Sequence, residues 1–423
     1  MASAKLALGD EAAAISGFRL AYAEAPDFPP ARAVLATAQL LDGERLGAFD
    51  TAIKALSEDA TCEQAALIAL QAAPAATTNL ELEALLPASL VAKPMVLVVL
   101  ASRARLRGEI EEALRYAEAA YGRDPENWRT CGLLAELLLA PILEDEALPL
   151  TRAVPAGSRE TFRRGLKLLR VAWSKVKDND HARHALNIGN NLLATLDLEG
   201  LEAECEQLVA EVLRVDPLFA PVLRWQTVNL ASRSEWESAL AVLKRLRPED
   251  RDDRDRIVEG RCKLGLGERK EARVIAEEVR ARSEPGRLRQ SAAALALESL
   301  IASGGTADEV TTFLDSEPAS MLVRVVAARF ARSDAKVGAG LIADVDRMIA
   351  TSDQIRDHVM GAEILAELGE YSRAADLLAP VTNAAAGTFL VRTRLRVLLL
   401  ADRRKEARII FEALPANTKR LDG

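Results

Sequence analysis

The chain has 423 residues, 49% of them hydrophobic but only 4% aromatic, with 28% charged side chains and a formal net charge of −8. A core left to Ala and Leu suits close helix packing and disfavours an all-β architecture, while this much apolar surface excludes disorder. The negative charge provides no general attraction for nucleic acid or anionic membrane, and the length divides by about 34 into roughly twelve helical repeats.

One spacing organises the chain from its first residues. In Gly9, Ala14, Phe18, Ala21 and Pro26, a turn glycine precedes small, bulky and small residues at steps of four and three, then a proline. Such steps fall on one helical stripe, and the small residues mark close helix crossings. The glycine turns the chain between two antiparallel helices, and the proline stops the second. Gly43, Ala48, Ala52 and Ala55 repeat the spacing 34 residues later. A gap of 65 residues between Gly43 and Gly108 hides a shortened unit, expected to turn around Ala73 to Thr78. The next hairpin carries an apolar strip of Met95, Val98 and Val99, followed by Gly108, Ala113, Ala117, Ala120 and Pro125. Residues 141–158, PILEDEALPLTRAVPAGS, combine prolines with an acidic cluster and read as a loop inserted between the helices of one hairpin.

DNDHARHALNIGNN comes next. His181 and His184 share a helical face with Asp178 or Asp180 in reach, but N-capping accounts for aspartates where a helix should begin. No metal and no other cofactor is expected. Gly200, Ser234 and Gly267 resume the register at intervals of 34 and 33 residues. The 102 residues from Gly267 to Gly369 imply two degenerate hairpins, turning near Ser303 to Gly305 and Asp334 to Gly338. Gly369 and Asp402 close the series. The run RPEDRDDRDR, with Asp252 and Asp253, reads as a solvated helix start rather than a pair of catalytic carboxylates. No phosphate loop, nucleophile elbow, zinc-binding helix or dinucleotide fingerprint is present, so the chain reads as a non-enzyme.

The segments LGDEAAAISGFRLAYAEAPDF and RGEIEEALRYAEAAYGRDPENW carry the pattern most fully. Here the sequence resembles the tetratricopeptide repeat family in a divergent, bacterial style. It departs from the family in mostly lacking the large aromatic of the first helix, Leu97 standing at that place in its unit. The resemblance implies an all-α fold, a right-handed superhelical α-solenoid of about twelve antiparallel helical hairpins. In that family the first helix of each hairpin lines a concave face that grips extended peptides or a partner helix. Carried onto this chain, the face would present Asn187, Asn190 and Asn191, then Arg224 and Trp225, then Arg254 and Arg261. In the last two units it would present Arg356, Phe389, Arg392 and Arg396. Asparagine amides can hold a peptide backbone, arginines can hold carboxylates, and a tryptophan can anchor a partner. The alternative is that Trp225 is packed core and the arginines are solvated.

Charge and loops suggest an acidic N-terminal array over 1–140, the inserted loop 141–158, a central array 159–285 and a locally basic C-terminal array 286–423. The implied function is a protein-interaction scaffold or adaptor, its partner a peptide, helix or domain. The alternative is a regulatory or substrate-docking segment of a larger enzyme, a transferase or nuclease, with its catalytic domain outside this chain. Four dispersed cysteines and three histidines signal neither a zinc framework nor disulfides, which suits a reducing cytoplasm. Apolar runs such as Met95 to Ala101 fall short of the ~20 residues a membrane span needs. Only eight residues precede Gly9 and LPANTKRLDG follows the last stripe, so neither end has a capping unit. Three readings of the ends stay open: an excised part of a longer protein, ends covered by a partner or by self-association, or a divergent first helix with fraying termini.

Overall fold

The computed structural model describes residues 10–26, 28–143, 154, 156–317, 320–332, 334–350, 352, 355–379 and 388–412. Among these residues every extended regular element is an α-helix and there is no strand. Contacts group into two compact units, Met1–Pro141 with Thr161–Ile188, and Ile142–Glu160 with Gly189–Gly423. The first unit is built from α1 (Glu11–Glu24), α2 (Pro29–Leu41), α3 (Arg45–Glu58), α4 (Glu63–Ala72), α5 (Asn79–Leu85), α6 (Ala88–Val91), α7 (Pro94–Leu106), α8 (Ile110–Arg123), and most of α9 (Trp128–Leu143) and α10 (Arg159–Val176). The second contains most of α11 (Leu186–Glu199), followed by α12 (Glu202–Val215), α13 (Ala220–Ser232), α14 (Trp236–Leu243), α15 (Asp253–Gly265), α16 (Arg269–Arg282), α17 (Arg287–Ala302) and α18 (Ala307–Ser316). It continues through α19 (Met321–Ala331), α20 (Ala335–Ile349), α21 (Ile355–Glu367), α22 (Tyr371–Leu377), α23 (Thr388–Leu400) and α24 (Arg404–Glu412).

The turns carry the repeat. Gly43, Gly108, Gly200, Gly267, Gly304 and Gly369 have φ between +72° and +87°, while Ser234 and Asp402 take +62° and +57°. At each, the following residue donates its amide to a carbonyl five residues back: Glu44 to Gln39 at 2.8 Å, Glu109 to Ala104 at 2.9 Å, Glu268 to Lys263 at 2.9 Å and Glu370 to Leu365 at 2.8 Å. Leu201 to Leu196 at 3.1 Å, Glu235 to Leu230 at 3.0 Å, Gly305 to Leu300 at 3.0 Å and Arg403 to Leu398 at 2.8 Å complete the set. This is the Schellman closure, which satisfies carbonyls that a helix end otherwise leaves bare and requires a left-handed residue to do so. The degenerate hairpins expected near Ser303 to Gly305 and Asp334 to Gly338 are both present, as α17 with α18 and α19 with α20. The second lacks the glycine closure, and Asp334 instead caps α20 by accepting from the Lys336 and Val337 amides at 3.0 and 3.1 Å. The shortened unit is α4 with α5, where Thr78 and Glu81 form a capping box.

Small residues of the second-helix stripe pack as the spacing requires. Ala14, Ala48, Ala52, Ala55, Ala113, Ala117, Ala120, Ala272, Ala276 and Ala374 are all buried, whereas Ala21 is exposed. At Gly260 a Cβ would stand 2.7 Å from Leu295 Cδ2, so α15 and α17 approach more closely than an alanine allows. The first helices of successive hairpins pack on one another as well as on their own partners. In the first unit α2 touches α4 and α4 touches α7. In the second, α13, α15, α17, α19, α21 and α23 form an unbroken chain of such contacts, which makes a continuous first-helix layer. The insertion is flanked by α9 and α10, and a Cβ on Gly165 would stand 2.5 Å from Leu139 Cγ, so the two helices pack together. Gly9, residues 144–153 and LPANTKRLDG lie outside the described residues.

Candidate functional site

The first-helix layer is where the residues expected to meet a partner should lie, and their surroundings differ. Asn187 is exposed at the start of α11, with Asn190 and Asn191 half-buried one turn on. Trp225 is half-buried on α13, while Arg254 and Arg261 on α15 and Arg396 on α23 are exposed. The side chains of Arg356, Phe389 and Arg392 lie outside the described residues. Met95, Val98 and Val99 are all half-buried on α7.

Arg224 is not an open contact residue. Its Nε reaches both carboxylate oxygens of Asp255, at 3.0 and 3.1 Å, and its terminal nitrogen reaches Asp255 at 2.9 Å and the Asp250 carbonyl. Asp255 is 5% exposed. It belongs to the acidic run read as a solvated helix start, and this one member is instead buried. Asp252 and Asp255 make a capping box at the head of α15, so the same carboxylate that caps the helix also binds α13 to it. Arginine is used in this way throughout the molecule. Arg32 pairs with Glu58, Arg105 with Glu136, Arg164 with Glu118, Arg282 with Asp253 and Arg403 with Asp376. Arg280 and Arg289 converge on Glu317 at 2.8 and 3.3 Å. The fully buried Arg324 holds Asp344 at 2.7 Å and the Glu317 and Ser320 carbonyls at 2.9 and 3.2 Å.

Five charged side chains of the second unit share one register along the first helices and make no hydrogen bond or ion pair among the described residues. They are Arg261 on α15, Glu298 on α17, Arg329 on α19, Glu363 on α21 and Arg396 on α23. Four of them stand six residues before a left-handed turn residue, Gly267, Gly304, Gly369 and Asp402 respectively. Arg329 falls 34 residues before Glu363, on a helix that ends half a turn early. Their chain neighbours point inward: Cys262, Leu297, Ser299, Ala328, Ala362, Ile364, Leu395 and Val397 are buried. Arg261, Glu298, Arg329 and Arg396 are exposed, and Glu363 is half-buried. Burial pushes the Glu363 carboxyl above its ordinary range, opposed by the positive charges of Arg396 and Arg329 on the two adjacent first helices. Three residues earlier on the same stripe stand the half-buried Val258, Val326 and Met360. The result is a charged row beside an apolar strip. Arg261 and Arg396 are among the contact residues expected from the sequence, and Glu298, Arg329 and Glu363 are not. Their signal is the fixed offset from the turn residue.

The remaining chemistry is sparse. His181 and His184 are exposed, and the His181 ring lies 6.3 Å from that of Trp128. Among the described residues no three His, Cys, Asp or Glu side chains are grouped to hold a metal ion. All four cysteines are free, and burial pushes the Cys205 thiol up to about 12. No helix of the described residues is long and apolar enough to cross a membrane.

No protein-family model matches the chain, and no curated protein matches it. Solved structures similar to it include yeast Tom70, at 12% identity and a TM-score of 0.44, covering 99% of this chain and 92% of that one. A human IFIT1 dimer with PPP-AAAA is similar at 15% identity and a TM-score of 0.43, covering 94% and 93%. A tetratricopeptide repeat protein from Parabacteroides merdae is similar at 14% identity and a TM-score of 0.31, covering 70% and 96%. The helical-repeat fold of this chain, with its tetratricopeptide-like hairpins, stands on its own turns and stripes as described above.

Proposed function

We propose that the protein is a non-catalytic interaction scaffold of the cytoplasm, which binds a protein segment along the first-helix layer of its second unit. One observation carries the reading. Arginines such as Arg105, Arg164, Arg224 and Arg403 are spent on clasps between hairpins, while the row Arg261, Glu298, Arg329, Glu363 and Arg396 has no hydrogen bond or ion pair among the described residues. A charge held by no hydrogen bond or ion pair is available to meet a partner. Trp225 and Arg254 extend the same layer toward the N-terminal side, with the half-buried indole as an anchor. Nucleic acid is not the partner proposed, because the carboxylates in the row would repel phosphates.

The test is affinity capture from extract of the native host, comparing the chain with a variant carrying Trp225→Ala, Arg254→Ala and Arg261→Ala. Arg224 is left intact because it holds α13 to α15. Loss of a captured protein, with helicity by circular dichroism unchanged, is expected. Equal capture by both chains would reject the layer as the binding face.

A further inference from the structure

The unpaired row alternates in sign. Along five successive first helices it reads Arg261, Glu298, Arg329, Glu363, Arg396. We infer that this ladder receives an extended polyproline-II segment carrying a charged side chain at every third residue, acidic and basic in turn. The inference rests on the reading of the first-helix layer as the binding face and names what that face selects.

Three physical points carry it. The first is charge complementarity: a partner of a single sign meets repulsion at two or three of the five positions, whereas an alternating one meets an opposite charge at each. The second is spacing. Axes of packed helices stand about 8–10 Å apart, and a polyproline-II segment, with three residues per turn and about 3.1 Å of rise, presents the same face every ~9.3 Å. A β-strand repeats its face at every second residue, about 6.6–6.8 Å, so charges three apart point to opposite sides. The third is the floor. Val258, Val326 and Met360 stand one turn before Arg261, Arg329 and Glu363, where they offer apolar contact to the residues between the partner's charges. The ladder's own members do not neutralise one another by direct pairing, although Arg329 and Arg396 both act on the Glu363 carboxyl.

Fluorescence anisotropy with labelled peptides and the full chain tests the ladder. The alternating peptide EPPKPPEPPKPPE should bind at least tenfold more tightly than EPPEPPEPPKPPK, which has the same composition in blocks. The double variant Glu298→Arg and Glu363→Arg should reverse the preference, binding EPPEPPEPPEPPE at least tenfold more tightly than the alternating peptide. If that variant fails to fold by circular dichroism, Arg329→Glu serves instead, and should prefer EPPKPPKPPKPPE. Equal binding of the alternating and blocked peptides, or a preference that the substitutions leave unchanged, would overturn the ladder. So would binding of heparin in preference to every peptide. A native partner captured by the chain and equally by the double variant overturns the ladder alone. Capture insensitive to the Trp225, Arg254 and Arg261 substitutions overturns the broader reading.

Discussion

Replacing Asp255 with Ala tests the view that arginine clasps, rather than the core alone, join neighbouring hairpins. Asp255 accepts three contacts from Arg224, between 2.9 and 3.1 Å, and one from the Asp252 amide at 3.0 Å. Breaking a fully buried ion pair costs about 3–5 kcal/mol because the surviving charge loses both partner and water. Here the survivor is Arg224, whose side chain is 36% exposed while that of Asp255 is 6% exposed. Water re-entering beside the guanidinium returns part of the loss, which leaves about 2–3 kcal/mol, the upper range for hydrogen bonds to charged groups. Hairpins in an array open locally, so the loss should concentrate where the clasp sits. Amide hydrogen exchange should show protection in α13 and α15 falling about 30- to 150-fold, at about 1.4 kcal/mol per factor of ten. Protection in α2 and α3 should not change. Converting both partners, Arg224→Met with Asp255→Leu, should restore most of the protection, because no charge is then left alone. An Asp255→Ala protein with protection in α13 and α15 within threefold of the parent would refute the reasoning.

Turn chemistry should respond with opposite signs: Gly267→Ala lowers stability by about 1–2 kcal/mol through the left-handed penalty alone, since no atom lies within 4 Å of where its Cβ would stand. Ser234→Gly, at a φ of +62°, should raise the urea midpoint, with a gain of up to about 1 kcal/mol. Gly260→Ala should cost about 1–3 kcal/mol by overpacking, as Leu295 is 1% exposed and has nowhere to retreat; an unchanged midpoint would mean that the crossing is looser than described. Glu363 has its folded pKa above the ordinary 4.5 because of burial, with Arg396 and Arg329 opposing and Glu367 adding to the shift. Its protonated form is the better tolerated one, so its contribution is most favourable below pH 4.5 and declines as pH rises through the folded value. Glu363→Gln should therefore raise the melting temperature at pH 7 and leave it unchanged at pH 4. Among the thiols, Cys62 is half-buried and the other three are buried, so a colorimetric thiol reagent should label one cysteine in the native state and four in denaturant.

Much of the fold was legible because its decisive features are local. A left-handed turn needs glycine or a residue that tolerates that conformation, so Gly43, Gly108, Gly200, Ser234, Gly267, Gly369 and Asp402 mark the hairpins without knowledge of the rest of the chain. The small-residue stripe is likewise a rule about helix periodicity, and its alanines are buried. The site was less legible. Arg224 and Arg261 have the same side chain and the same helix type, yet one is spent on Asp255 and the other is exposed without a pair. Asp255 is the last of four aspartates between residues 250 and 255, and nothing local marks it as the buried one.

Read alone, the sequence determined that the chain is all-α, where its hairpins turn and which stripe each second helix buries, because those follow from backbone conformation and a 3.6-residue period. Only the tertiary structure decided which charges are committed and which are left over. Whether an arginine is a clasp or a contact depends on what the next hairpin places opposite it. Residues 31 positions apart, such as Arg224 and Asp255, meet only when their helices have packed.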